Sequence, residues 1–176
     1  MAESTPFAPV KLICGIIFPE EGVLKAAEAR LASLYGPVDL RSPVFAFDLT
    51  DYYESQMGPG LSRAFLGFTN LISPEDLPAV KLRTNALEEE MRLASGLERR
   101  IVNIDPGYVT PAALIMATTK NFAHRIPLEN GIYAHLEFLF SRTGVRILEW
   151  TYPDLRRAGV HDFFREARAE LLRLRG

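Results

Sequence analysis

At 176 residues the chain is long enough to bury a full core, and 48% hydrophobic with 24% charged residues is the composition of an ordinary globular protein. A formal net charge of −2 lacks the basic excess of dedicated nucleic-acid binders. One cysteine, Cys14, excludes an intrachain disulfide or a thiolate zinc framework.

Residues 10–18, VKLICGIIF, form a nearly continuous apolar run that predicts a central strand covered on both faces, with Cys14 as a small buried hydrophobe. The run is too short to span a bilayer, and Glu20-Glu21 after it does not resemble a signal-peptidase site, so a cytoplasmic location is expected. Pro19 opens a helix with acids in its first turn. Leu24, Ala27, Leu31 and Leu34 recur at helical spacing, and Gly36-Pro37 ends it. Val38–Phe47 reads as a second strand broken at Ser42-Pro43, and Leu61–Thr69 as a third.

Ser73-Pro74 starts a helix whose stripe is Leu77, Val80, Thr84, Leu87, Met91 and Ala94, closed by Gly96. Arg99–Ile104 reads as a fourth strand, giving the β-α-β-β-α-β order of a split β-α-β unit. Asp105-Pro106-Gly107 then predicts a turn, and Thr110-Pro111 the start of a short helix to Thr118. Phe122–Leu128 and Ile132–Phe140 flank Asn130-Gly131, the preferred type I′ hairpin turn. Gly144 turns the chain into Val145–Trp150. A final helix presents Phe164, Ala167, Leu171 and Leu174 inward, its arginines partly offset by acids on a solvated face. The expected architecture is one α+β domain over residues 1–176. It is a two-layer sandwich with a ferredoxin-like β-α-β-β-α-β half, extended by a C-terminal β-hairpin, a third strand and a terminal helix.

Polar residues concentrate between Asn103 and Arg125. A two-residue turn at Asn130-Gly131 sets Ile126 opposite His135 and His124 opposite Glu137. His124, His135 and Glu137 then share a face, either as ligands of a divalent metal or as a cross-strand His–Glu pair on a half-solvated surface. The same register turns Arg125 toward the core, where its guanidinium needs a carboxylate or a bound anion. Asp105 and Asp48 are candidate partners. Asn103 and Asp105 face the same way along a strand, although Asp105 also suits the first position of the turn. Asp48, Asp51 and Glu54 with Tyr52 and Tyr53 form either a metal or hydroxyl site or a polar loop. Lys81, Asn85 and Glu88 share a helix face, as a solvated stripe would. Neither a P-loop nor a G-x-S-x-G elbow nor H-E-x-x-H occurs.

The blocks PVKLICGIIF from Pro9, FDLTDYYESQMG, KLRTNALE, NIDPGYVTPAALIMATTKNFAHRIPLENGIYA and EWTYPD span nearly the whole chain. Together they resemble the prokaryotic domain-of-unknown-function family 4416. The resemblance implies a compact, stand-alone cytoplasmic protein and carries no assigned catalytic residues.

The resulting expectation is a site for an anionic small molecule, a nucleotide or phosphorylated metabolite, with no nucleic-acid or membrane partner. Lys120 and Arg125 would neutralise the anion, Asn103 and Tyr108 orient it, and Asp48 and Asp51 lie near it. His124 or Asp105 would act as general base or metal ligand. The alternative is a non-catalytic protein-interaction module whose polar groups pair internally and leave no concave pocket.

Overall fold

The computed structural model describes residues 3–176. Among them, nine strands form one sheet: β1 Val10–Phe18, β2 Val38–Arg41, β3 Phe45–Ala46, β4 Ser62–Ile72, β5 Asn103–Val109, β6 Ala113–Thr118, β7 Ile126–Pro127, β8 Tyr133–Ser141 and β9 Gly144–Ile147. The helices are α1 Glu21–Tyr35, α2 Glu54–Met57, α3 Leu77–Ser95 and α4 Ala158–Arg175. The sheet runs β2-β4-β1-β5-β6-β8-β7, with β3 added to β4 and β9 to β8, and its paired strands are antiparallel. The fold is an α+β sandwich, and its first half follows the expected β-α-β-β-α-β path.

Alternation along β1 sends residues to both faces, so the strand reads as unbroken hydrophobicity. Leu12, Cys14, Ile16 and Phe18 pack with α1 and α3 through Leu31, Leu87 and Met91. On the other face Ile13 joins Phe65, Leu114, Phe138 and the α4 residues Phe164 and Leu171. The rings of Phe65 and Phe138 meet Phe164 edge-on at 5.2 and 5.3 Å, a favoured aromatic geometry. The second strand breaks where expected, and Ser42 Oγ accepts the Phe65 N–H across the gap.

Three local expectations fail, each for a physical reason. Asp105-Pro106-Gly107 is not a turn: β5 begins at Asn103 and runs straight through it, paired to β1 as far as Val109. The Ile104 carbonyl accepts from Lys81 and its N–H donates to Glu88, so both groups point away from β1 toward α3. Pro106, two residues on, has the same orientation, and its missing N–H costs no β1–β5 bond. Gly107 serves close approach, since a Cβ there would overlap Met116 Sδ and lie 2.5 Å from the Ile115 carbonyl. Gly107→Ala is therefore expected to cost about 1–3 kcal/mol by forcing β6 away from β5. Urea unfolding measures it, and a loss under about 0.5 kcal/mol contradicts the tight approach.

Residues 110–118 form a hairpin arm and not a helix. The Thr110 hydroxyl accepts from the Ala112 and Ala113 N–H groups, capping a turn instead of a helix start. The Asn130-Gly131 hairpin exists with a different register. Leu128 donates to the Ile132 carbonyl, Asn130 and Gly131 both adopt positive φ, and Ile126 pairs with Ala134. That is a one-residue slip from the expected Ile126–His135 pair. The expected Phe122–Leu128 strand is paired only at Ile126–Pro127, the chain before it being turned by the Arg125 N–H donating to the Phe122 carbonyl. This removes the basis for turning Arg125 into the core.

Candidate functional site

β6 joins β5 only from Gly107 onward. Before that point the edge of β5 faces α3, and the sheet opens into a cavity of about 480 Å³. Its walls come from β5, the end of β6, α3, the loop carrying Thr50, Tyr52 and Tyr53, and the Tyr152–Asp154 turn. Met57 of α2 packs on Ile17 and Leu61 and pins that loop beside the opening. The volume lies within the range of small-molecule sites.

The floor is a chain of paired charges. Arg63 of β4, almost fully buried, reaches over β1 to donate to Asp105 Oδ2 at 2.9 Å, and its Nε lies 3.5 Å from Asp154. Gly15 makes that path possible, since a Cβ there would lie 2.9 Å from the central carbon of the Arg63 guanidinium. Asn103 donates to the same Asp105 oxygen at 2.7 Å and accepts from Arg100 at 2.6 Å. Arg100 also pairs with Glu88. Lys81 donates to the Ile104 carbonyl at 2.9 Å and stands 3.6 Å from Asp105 Oδ1. Burial opposes the Asp105 charge, but Lys81 and Arg63 beside it hold the carboxyl below its ordinary range. An aspartate so committed is a poor proton acceptor. Lys81 and Glu88, expected on a solvated stripe, are thus buried and satisfy the backbone of β5 at Ile104, where no strand pairs with it on that side.

At the other end stand Lys120 and Arg125. Arg125 donates to the Lys120 carbonyl at 2.7 Å and to the Tyr152 hydroxyl at 2.9 Å, while its buried Nε has no hydrogen-bond partner. Lys120 Nζ lies 3.9 Å from the centroid of the Tyr52 ring. Among the described residues no carboxylate lies within 4.0 Å of either cation. The expected Asp105 or Asp48 partner of Arg125 is therefore corrected: Asp105 is taken by Arg63 and Lys81, and Asp48 pairs with Arg157 at the surface. Five cations (Arg63, Lys81, Arg100, Lys120 and Arg125) and two carboxylates (Asp105 and Asp154) line the cavity.

Asn103, Asp105, Lys120 and Arg125 are thus brought together, whereas Tyr108, Asp48 and Asp51 are not. Tyr108 packs with Leu77, Ile115 and Ile132 on the opposite face of β5, and Asp51 is exposed. Arg63 is the missed residue with a readable signal, a cation inside the apolar strand SRAFLGF. Tyr152 and Asp154 carry none, because a chain turn from a distant segment delivers them.

His124, His135 and Glu137 cluster behind Tyr152, outside the cavity lining. His124 stacks on Trp150 at 4.8 Å between ring centroids and touches His135 at 4.7 Å. His135 Nδ1 is 3.5 Å from Glu137 Oε1, too long for a hydrogen bond, and Glu137 Oε2 accepts the Tyr152 N–H at 3.0 Å. Among the described residues no three His, Cys, Asp or Glu side chains could hold a metal ion. The three-ligand expectation is corrected accordingly. A bulge sets Glu137 beneath the turn at Thr151–Tyr152, and His124 spends its ring on stacking. His124 also falls away from the cavity that a general base would have to face.

The buried pair has a consequence for stability. Burial pushes Glu137 up to about 8 from 4.5, and burial with Arg125 and His124 pushes His135 down to about 4 from 6.5. Both are neutral near pH 7. The folded state holds one extra proton on Glu137 between pH 4.5 and 8, so that contribution to stability falls as pH rises through the window. It holds one fewer on His135 between pH 4 and 6.5, so that contribution rises with pH. The slopes cancel between pH 4.5 and 6.5, and above this only Glu137 acts. Urea unfolding should show a loss of about 2 kcal/mol from pH 6.5 to 8, absent in Glu137→Gln. An equal loss in the variant would assign it elsewhere.

Among the described residues no helix is long and apolar enough to cross a membrane. No curated protein and no solved structure matches the chain. A family model described as "Domain of unknown function (DUF4416)" matches residues 8–171, nearly the whole length. The chain therefore belongs to the DUF4416 family.

Proposed function

We propose that the cavity binds a small phosphate-bearing anion, a nucleotide or phosphorylated metabolite, in the cytoplasm, with the ferredoxin-like half as its scaffold. One observation carries this reading: Lys120 and Arg125 face the cavity with no carboxylate beside them among the described residues, and Arg125 Nε is a buried donor without an acceptor. A buried unpaired donor costs free energy that a bound phosphate oxygen would recover through a charge-assisted hydrogen bond. The rival interaction module calls for polar groups paired among themselves and no concavity. The cavity and its excess of cations favour the ligand site. Binding is the activity supported, since the floor carboxylate Asp105 is already neutralised.

Thermal unfolding in the presence of phosphorylated metabolites and their unphosphorylated counterparts tests the proposal. Saturating phosphorylated ligand at about 100 times its Kd should add about 2.7 kcal/mol, and the gain should shrink with added salt. Equal stabilisation by the unphosphorylated partners, or none by either set, overturns it.

A further inference from the structure

The two ends of the cavity differ in charge balance, and the difference points to the shape of the ligand. At the floor three cations, Arg63, Lys81 and Arg100, are matched by three carboxylates, Asp105, Asp154 and Glu88. That end has no net charge to satisfy, yet it keeps polar capacity directed at the space. Asp105 Oδ2 takes both short hydrogen bonds, whereas Oδ1 faces Lys81 Nζ across 3.6 Å, beyond hydrogen-bond range. A carboxylate oxygen accepts and an ammonium donates, so together they match a hydroxyl, which does both. The carboxamide of Asn85, one helical turn from Lys81 on α3 and also lining the cavity, offers both functions too. The other end, Lys120 and Arg125, carries two positive charges with no carboxylate within 4.0 Å among the described residues. Aromatic rings of Tyr52, Tyr53 and Tyr152 line the cavity as well and suit the C–H face of a sugar.

Resting on the anion reading above, we propose that the ligand is a phosphorylated sugar or polyol: hydroxyls meet Asp105 Oδ1, Lys81 and Asn85, and a dianionic phosphate meets Lys120 and Arg125. Free inorganic phosphate would satisfy one end only, and an unphosphorylated sugar only the other. The ribose phosphate of a nucleotide presents the same chemistry as a free sugar phosphate.

Isothermal titration at fixed ionic strength, with inorganic phosphate, ribose, ribose 5-phosphate, glucose 6-phosphate, glycerol 3-phosphate and adenosine monophosphate as probes, decides the matter. At least one phosphorylated polyol should bind at least about ten-fold tighter than inorganic phosphate, as a single well-placed hydrogen-bond set allows. Asn85→Ala, which keeps a good helix former on α3, should cut the advantage of the sugar phosphate over inorganic phosphate by at least about three-fold, Asp105 and Lys81 retaining the rest, because inorganic phosphate does not reach the floor. Lys120→Ala should weaken phosphate and sugar phosphate alike. Adenosine monophosphate binding tighter than ribose 5-phosphate supports the proposal with a nucleotide as source, and the reverse supports it with a free sugar phosphate. If inorganic phosphate binds and no polyol phosphate exceeds it, the hydroxyl-reading floor is overturned while the anion site stands. If no phosphate-bearing probe binds, both readings fall.

Discussion

The double variant Lys120→Ala/Arg125→Ala is expected to lose phosphate-ligand binding by at least about 100-fold while keeping the fold. Hydrogen bonds to charged groups contribute about 1.5–3 kcal/mol each, and two such groups serve one anion. The structural cost is small because neither side chain belongs to the core. Lys120 is exposed, and the Arg125 side chain donates hydrogen bonds only to one backbone carbonyl and the Tyr152 hydroxyl, with its guanidinium over the Tyr152 ring. Calorimetric titration reads the affinity and circular dichroism the fold. Arg157→Ala, whose partners are Asp48 and the Ala46 carbonyl outside the cavity lining, is the matched control and should bind normally. Equal affinities for the double variant and the control would remove the anion role from Lys120 and Arg125.

The largest stability effect is expected at Asp105. Asp105→Asn keeps the shape but leaves Arg63, whose side chain is 5% exposed, without its short ion pair, and Lys81 without its nearest carboxylate. Removing one partner of a buried pair costs about 3–5 kcal/mol, because the remaining charge stays desolvated. In a chain of this length that lowers Tm by about 10 °C. Asp48→Asn is the contrast: its pair with Arg157 is largely exposed and should contribute about 1 kcal/mol or less. Comparable losses for the two variants would mean that the Arg63–Asp105 bridge is not desolvated as its burial requires.

The elements governed by local periodicity were legible. The apolar run at residues 10–18 needs only its length and composition to be read as a covered strand. In the first helix the stripe of Leu24, Ala27 and Leu31 faces the core as its spacing predicts, although Leu34 at its end stays exposed. Gly36 and Gly96 stop their helices as their positions suggest. The illegible features arose where two mechanisms share one sequence pattern.

Thr110-Pro111 before an apolar run is the signature of a helix start and equally of a hairpin turn before a buried strand, and periodicity cannot separate the two over so short a run. Gly107 reads as a turn residue when its role is the close approach of Met116, a contact formed only once β6 folds back. The hairpin register depended on one residue of loop length, and the turn at residues 122–125 took Arg125 out of the strand alternation on which its expected face rested. Lys81 and Glu88 have the spacing of a solvated stripe. Only the missing strand beside Ile104 turns them into hydrogen-bonding partners of the backbone.

Of the site, the polar segment from Asn103 to Arg125 contributed Asn103, Asp105, Lys120 and Arg125 to one cavity. Arg63, Tyr152 and Asp154 reach it from segments far apart in sequence, and no local pattern announces such a meeting.

The most direct measurement is an anomalous difference map from crystals of the protein soaked in tungstate, a heavy analogue of phosphate. An anion site at the open end requires a peak within hydrogen-bonding distance of Lys120 Nζ and the Arg125 guanidinium, lost in the Lys120→Ala/Arg125→Ala variant. A map with no peak in the cavity, or with an unchanged peak in the variant, contradicts it.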